Sequence, residues 1–212
     1  MTRVKICGLT TLEDARHAWR AGADLLGFVL VPSSPRYVPP EALERITRAL
    51  GEEGCSALRV GVFAGEGPEE VSRLAEACAL DLVQLHGGAC APFLARLNRP
   101  AIVARRVAGR PPWEGSFPGA WAHLLDTYVP HRLGGTGRTW RWDLLASAPA
   151  AASALRLIVA GGLTPENVRD AVRVARPWGV DVSTGVEAAP GRKDPVKVAR
   201  FIAHVKEEEI AT

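Results

Sequence analysis

The sequence places a thiol, a carboxyl group and a basic side chain where each could take part in proton transfer. Lys5 and Cys7 stand two residues apart in a short apolar run, and nearby positive charge can lower the pKa of a thiol so that its thiolate acts as a general base or nucleophile. Asp126 follows the apolar run 122–125, where desolvation favours a protonated carboxyl group suited to general acid catalysis. Each residue can also have a purely structural role. Cys7 can be a small buried hydrophobic residue, and Lys5 can pair with a carboxylate inside the protein. Asp126 can cap a turn by accepting hydrogen bonds from backbone amides.

Anion binding is the second chemistry that the sequence suggests. Gly161-Gly162 and Thr184-Gly185 each follow an apolar run late in the chain. Glycine lets a phosphate approach backbone N–H groups closely, and N–H groups at the start of a helix favour negative charge. One glycine pair alone is as easily a tight turn, but the two pairs together predict a phosphorylated substrate that needs no lysine clamp.

Three further side chains could contact a substrate. Arg36 lies in the proline-stiffened loop 32–36, where it can hold a carboxylate through two parallel hydrogen bonds or remain solvated. His86 ends an apolar run and can be a base or a structural histidine. Asp181 ends another such run.

The elements that must position these residues alternate along the whole chain. Short, almost continuously apolar runs are followed by amphipathic stretches of helical spacing, in about eight strand–helix units. This pattern predicts a single (β/α)8 barrel, an α/β fold of the TIM type, over residues 1–212. Glycines and prolines in 109–119 predict a short or irregular fifth helix. A doubly wound sheet would need only five or six strands and would leave the other units unexplained.

Barrel topology would bring the candidate residues together. Active sites of such barrels lie at the carboxyl-terminal ends of the strands, and the loops after the seventh and eighth strands often bind phosphate. Because side chains alternate along a strand, Lys5 and Cys7 must both point into the barrel, near its mouth.

Composition excludes several other classes of protein. The chain has 212 residues, of which 47% are hydrophobic and 23% charged, and its formal net charge is +3. These values exclude a disordered or fibrous chain, and a small dispersed charge predicts no nucleic-acid binding. No apolar run has the length of a membrane span and no leader is evident, so we expect a soluble cytoplasmic protein without membrane contact. The four widely spaced cysteines predict free thiols and no metal site.

In this order the motifs resemble the phosphoribosylanthranilate isomerase family of tryptophan biosynthesis, and they span nearly the whole chain. No single motif is specific, but the ordered set is. The matching segments are Lys5-Ile6-Cys7-Gly8-Leu9-Thr10, Gly27-Phe28-Val29, Ser34-Pro35-Arg36, Val60-Gly61-Val62-Phe63, Val83-Gln84-Leu85-His86-Gly87, Leu125-Asp126, Gly134-Gly135-Thr136-Gly137, Ala160-Gly161-Gly162-Leu163, Gly179-Val180-Asp181-Val182, Gly185-Val186-Glu187, Pro190-Gly191 and Lys193-Asp194.

The resemblance implies the Amadori rearrangement of N-(5-phosphoribosyl)anthranilate to 1-(2-carboxyphenylamino)-1-deoxyribulose 5-phosphate. It implies Asp126 as the general acid at the furanose oxygen, Cys7 thiolate as the base at C2′ and Arg36 as the holder of the anthranilate carboxylate. It also implies phosphate binding at Gly161, Gly162, Thr184 and Gly185, with Asp181 near the sugar or the amine. The reaction moves only protons, so no cofactor is expected, and the family includes monomers and homodimers.

The chain departs from the family pattern in places that leave the proposed acid, base and clamp unchanged. Thr184 stands where serine is common, and residues 140–143 differ from the usual Phe-Asp-Trp. Two alternatives stay open: another phosphosugar isomerase, epimerase or synthase barrel, and a catalytically silent barrel that binds a phosphorylated metabolite. The first would need a metal-supporting His/Asp set or a catalytic lysine with glutamate partners, and the second would not need both an acid and a base.

Overall fold

Eight parallel strands close into a barrel in the computed structural model of the chain, which describes residues 1–87, 90–107, 119–127, 142, 145 and 155–210. The strands follow one another around the barrel in chain order, and the first also pairs with the eighth. They are β1 (Arg3–Cys7), β2 (Leu25–Val29), β3 (Leu58–Ala64), β4 (Leu82–His86), β5 (Ala101–Val107), β6 (Ala122–Thr127), β7 (Leu157–Val159) and β8 (Gly179–Val182).

Helices of the described residues follow the strands and begin where the sequence supplies a start signal. The hydroxyl of Thr11 accepts the N–H of Asp14 at the start of the first helix, and Gly22 ends that helix with φ at 103°. The second and third helices begin with a proline in the first turn. The helices are α1 (Leu12–Ala21), α2 (Pro40–Glu52), α3 (Pro68–Ala77), α4 (Ala91–Leu94), α5 (Val168–Ala175) and α6 (Pro195–Ile210).

Between β8 and α6 the chain adds a small substructure. A short 3₁₀ helix covers Thr184–Val186, and an antiparallel hairpin of β9 (Glu187–Ala189) and β10 (Arg192–Lys193) follows it. This hairpin lies next to the loop after β2, because a Cβ atom on Gly191 would stand 3.1 Å from the carbonyl oxygen of Pro35.

The interior of the barrel is apolar towards the amino-terminal ends of the strands and polar towards their carboxyl-terminal ends. Side-chain alternation directs one set of strand residues inwards and the other towards the helices. Gln84 comes two residues after Leu82, and Asp126 two residues after Leu124, so polar side chains succeed apolar ones towards the carboxyl-terminal mouth. The apolar inner residues are Leu25, Val60, Leu82, Ile102, Ala122, Leu124, Ile158 and Ala160.

The predicted (β/α)8 barrel is confirmed. Residues 92–97 have helical spacing and residues 156–160 form an apolar run, and in the structure they give the shorter α4 and β7. The 3₁₀ helix and the hairpin after β8 were not predicted. The predicted irregular fifth helix, the Gly-rich loop 134–137 and most of the helical pattern of residues 142–148 lie outside the described residues. Within the part of the chain that the structure describes, no helix is both long and apolar enough to cross a membrane.

Candidate active site

A cavity of about 270 Å³ opens at the carboxyl-terminal mouth of the barrel. The structure brings seven of the eight predicted site residues to its wall, and the eighth, Gly185, packs against Leu163 beside it. An acid, a base, an arginine and glycine turns therefore share one concave space, as expected for a barrel enzyme. The seven residues are Cys7, Arg36, Asp126, Gly161, Gly162, Asp181 and Thr184.

Lys5 and Cys7 both face the barrel interior, as strand alternation predicts. The Nζ atom of Lys5 lies 2.8 Å from Oδ1 of Asp181, which belongs to the neighbouring strand β8. The Lys5 side chain is fully buried and that of Asp181 is 11% exposed. Burial is the largest single effect and disfavours the Lys5 ammonium, but the charges and hydrogen bonds of Asp181 and Cys7 together outweigh it, so the pKa of Lys5 is raised. The predicted pairing of Lys5 with an interior carboxylate is confirmed.

The thiol of Cys7 differs from the expectation of a lowered pKa. Lys5 does act in the expected direction, because its positive charge favours the thiolate. Burial is the larger effect, and the charge of Asp181 adds to it, so the pKa of Cys7 is raised. Burial and Asp181 therefore favour the neutral thiol of Cys7 over the thiolate.

Gly27 makes room for this pair on the neighbouring strand β2. It is the Cα partner of Cys7 in the parallel register. A Cβ atom there would stand 2.9 Å from Sγ of Cys7 and 3.0 Å from Nζ of Lys5. Because neither group can withdraw easily from the packed interior, only glycine fits here.

Arg36 is held by a carboxylate that sequence analysis did not assign to the site. Its Nε and Nη2 atoms each donate to one oxygen of Glu187, both at 2.7 Å. Nζ of Lys193 donates to the same carboxylate at 2.8 Å. Burial alone would raise the pKa of Glu187, but these hydrogen bonds outweigh it and the pKa is lowered. Among the described residues, only Nε and Nη2 of Arg36 bind Glu187, so the edge of the guanidinium that carries Nη1 can take a second carboxylate.

His86 is neutral and forms a hydrogen bond with Gln84, a residue to which sequence analysis assigned no role. The side-chain amide of Gln84 forms a hydrogen bond of 2.8 Å with Nε2 of His86. Burial and the positive charge of Lys5 lower the pKa of His86 to about 4. Among the described residues the Gln84 amide oxygen has no hydrogen-bond partner, although it is buried in the cavity wall.

The loops after β7 and β8 contribute Gly161, Gly162 and Thr184 to the cavity wall. Gly161 and Gly162 have φ values of 86° and 67°, a region that favours glycine. The side chain of Asn167 fixes the first turn, because its Nδ2 donates to the carbonyl of Gly162 at 2.9 Å. A Cβ atom on Gly185 would stand only 1.9 Å from the carbonyl oxygen of Leu163, so glycine lets the two loops touch. This is the location at which barrels of this class bind phosphate.

Sequence analysis did not assign three residues of this site, which are Gln84, Glu187 and Lys193. The sequence gives only a weak indication that they belong to it. Each lies inside a segment that resembles the isomerase family, yet nothing nearby in the sequence names a partner for it. Glu187 meets Arg36 across 151 positions of the chain. Contacts of that range follow from barrel closure and not from local spacing.

Comparisons with known proteins agree on one family. A family model described as N-(5'phosphoribosyl)anthranilate (PRA) isomerase matches residues 4–204. A protein of Pelobacter propionicus named N-(5'-phosphoribosyl)anthranilate isomerase is 46% identical over 208 residues, which cover 98% of this chain and 97% of the relative.

Two solved structures of similar proteins extend the comparison to three dimensions. The first shows monomers generated from the dimeric phosphoribosylanthranilate isomerase of Thermotoga maritima, with 38% identity, a TM-score of 0.82 and coverage of 98% of this chain and 100% of that one. The second is a phosphoribosylanthranilate isomerase in complex with reduced 1-(o-carboxyphenylamino)-1-deoxyribulose 5-phosphate, with 38% identity, a TM-score of 0.83 and the same coverage.

Proposed function

The chain belongs to the phosphoribosylanthranilate isomerase family, and we propose that it performs the family's reaction with Cys7 as general base and Asp126 as general acid. It is an isomerase of tryptophan biosynthesis that rearranges N-(5-phosphoribosyl)anthranilate to 1-(2-carboxyphenylamino)-1-deoxyribulose 5-phosphate. One observation carries the assignment of roles. Cys7 and Asp126 line the same cavity, and Arg36, Gly161 and Gly162 line it as well.

The first step opens the sugar. Asp126 gives its proton to the furanose ring oxygen, the bond from that oxygen to C1′ breaks, and the anilino nitrogen forms a cationic Schiff base with C1′. Asp126 is half-buried near the end of β6, two residues beyond the apolar Leu124, and it lines the cavity, so its carboxyl group can reach a bound sugar.

The second step removes the proton from C2′. The Cys7 thiolate takes it, the electron pair forms the enolamine, and tautomerisation gives the ketone. Because burial and Asp181 favour the thiol, we infer that the charge of bound substrate assists proton loss from Cys7. The cationic Schiff base supplies a positive charge beside the sulfur, and Lys5 supplies another.

Arg36 and the glycine turns hold the two ends of the substrate. The free edge of the Arg36 guanidinium takes the anthranilate carboxylate, because its other edge is occupied by Glu187. The backbone N–H groups near Gly161, Gly162, Thr184 and Gly185 take the phosphate. Two anchored ends fix the sugar between acid and base, which turns proton transfer into an oriented step.

Asp181 acts through Lys5 in this proposal. Its carboxylate reaches the cavity wall while one oxygen binds the Lys5 ammonium. The pair therefore sets the charge around Cys7, and the other carboxylate oxygen is available to the sugar or the amine.

The remaining properties follow the chemistry of the reaction. Every step moves a proton, so the reaction needs no cofactor. We infer one barrel domain over residues 1–212 and a cytoplasmic location, which the four unpaired cysteines support. A monomer or a homodimer is consistent with a relative described as dimeric.

The decisive experiment follows the loss of anthranilate-adduct fluorescence with purified protein, compared with Cys7→Ser and Asp126→Asn. The wild-type protein should turn over, and each variant should lose at least ~10²-fold in kcat because it lacks one proton-transfer group. Circular dichroism should show unchanged folding. Near-wild-type rates in either variant would refute its role, and binding without turnover by the wild type would favour a silent metabolite-binding barrel.

A further inference from the structure

Arg36 is joined to two charged side chains, those of Glu187 and Lys193, that take part in no step of the proposed mechanism. Arg36, Glu187 and Lys193 are joined by three hydrogen bonds of 2.7–2.8 Å, and we refer to them as the Arg36 triad. The side chains of Glu187 and Lys193 are 6% and 2% exposed, and that of Arg36 is 18% exposed and reaches the cavity. Lys193 also donates to the carbonyl of Ser183 at 3.2 Å, which leaves it directed away from solvent.

Charge counting shows what Lys193 adds to the Arg36 triad. Arg36 and Glu187 alone would form a neutral pair with little attraction for a further anion. Lys193 brings the net charge of the triad to +1, and its burial means that water screens this charge weakly. Lys197 also contacts Glu187, but it does so from the exposed surface and through the backbone carbonyl.

The hairpin fixes the triad in position. Thr10 donates to the carbonyl of Gly191 at 2.5 Å, and Gly191 packs against the carbonyl of Pro35, one residue before Arg36. The stem of Arg36 passes Gly8 so closely that a Cβ atom there would stand 2.5 Å from its Cδ. The guanidinium therefore has little freedom to turn away from Glu187.

We propose that Glu187 and Lys193 are positioning residues for carboxylate recognition: Glu187 orients the Arg36 guanidinium, and the buried charge of Lys193 offsets Glu187 so that the triad attracts the anthranilate carboxylate. The inference rests on the proposed function of Arg36. It makes substrate specificity depend on two residues that lie behind the cavity wall.

Binding calorimetry with two ligands tests this proposal. The first ligand is reduced 1-(o-carboxyphenylamino)-1-deoxyribulose 5-phosphate, and the second is the same molecule without its carboxyl group. The ratio of the two affinities isolates the contribution of the carboxylate. A general loss of structure would weaken both ligands, whereas loss of triad charge should weaken only the first.

Three variants should change the affinity ratio to different extents. Lys193→Met makes the triad neutral and should reduce the affinity ratio about tenfold or more, within the range of close charge pairs in binding sites. Lys193→Arg keeps the charge and should retain most of the ratio. Lys193→Met combined with Glu187→Gln returns the net charge to +1, so its ratio should exceed that of Lys193→Met alone.

The outcomes distinguish failure of the proposed role of Arg36 from failure of the proposed roles of Glu187 and Lys193. If the wild-type protein does not prefer the carboxylate ligand, the proposed role of Arg36 fails. If it does, but Lys193→Met keeps the wild-type ratio or the double variant shows no recovery, the triad proposal fails. Should Lys193→Met not fold, Lys193→Gln tests the same charge while retaining a hydrogen-bond donor for Glu187.

Discussion

Replacing Lys5 by methionine separates what the buried ion pair contributes to folding from what it contributes to Cys7. In the structure the Lys5 ammonium is fully buried and bonds Asp181 at 2.8 Å. Methionine fills similar space but leaves the Asp181 carboxylate without its counter-charge. Removal of one partner of a buried pair costs ~3–5 kcal/mol of the free energy of unfolding. With an m value of about 2.5 kcal/mol/M, the midpoint in urea should fall by about 1.2–2 M.

A matched double variant identifies the cause of that loss. Lys5→Met with Asp181→Asn removes both charges, so it should be more stable than Lys5→Met alone. Equal stability of the single variant and the wild type, or a double variant less stable than the single one, would refute the proposed energetics of the pair.

The pKa of Cys7 is a second property that the Lys5→Met substitution should change. Since the Lys5 charge favours the thiolate, its removal should move the pKa of Cys7 further above the ordinary value of ~8.5. Thiolate absorbance in the ultraviolet, measured as the difference from Cys7→Ala, should therefore appear at higher pH in Lys5→Met than in the wild type. A shift to lower pH would contradict the arrangement of charges described above.

The remaining predictions concern the substrate clamp, the packing beside Cys7 and the neutral histidine. Arg36→Ala should raise KM and lower kcat in steady-state assays, because the carboxylate is both bound and positioned by this side chain. Gly27→Ala should lower kcat by up to ~10²-fold in the same assays, since its methyl group would stand 2.9 Å from the Cys7 sulfur and must displace it; an unchanged kcat would refute the close packing. His86 should titrate at about 4 by NMR, well below the ~6.5 of a free imidazole. Because its folded pKa is lowered, its contribution to stability should be lost as the pH falls from ~6.5 towards 4, and a His86→Gln variant should lack that loss.

The barrel itself could be predicted because its signals are local. Eight apolar runs alternate with amphipathic stretches, and start signals such as Thr11 and Pro40 mark the helices. Ends of short elements were less predictable, as with α4 at Ala91–Leu94, because neither an apolar run nor a proline fixes where a short helix stops.

The candidate site could be predicted in part. Strand alternation correctly directed Lys5 and Cys7 inwards, and barrel topology brought Asp126 to the same cavity. The hairpin partners of Arg36 could not be predicted, because Glu187 reaches it only after the whole barrel closes. The direction of the Cys7 pKa could not be predicted for a related reason: a sequence shows which charges are near, but not how deeply a thiol is buried.

The raised pKa of Cys7 is compatible with its proposed role as a base. A thiol that ionises less readily is present as thiolate in a smaller fraction, but each thiolate is a stronger base towards C2′. Lys5 and Asp181 act on this balance in opposite directions, because one favours the thiolate and the other the thiol. Ring opening then adds a positive charge to the substrate just when the base is required. In the proposed mechanism, proton loss from Cys7 is thereby coupled to ring opening, because the Schiff base adds a positive charge beside the sulfur.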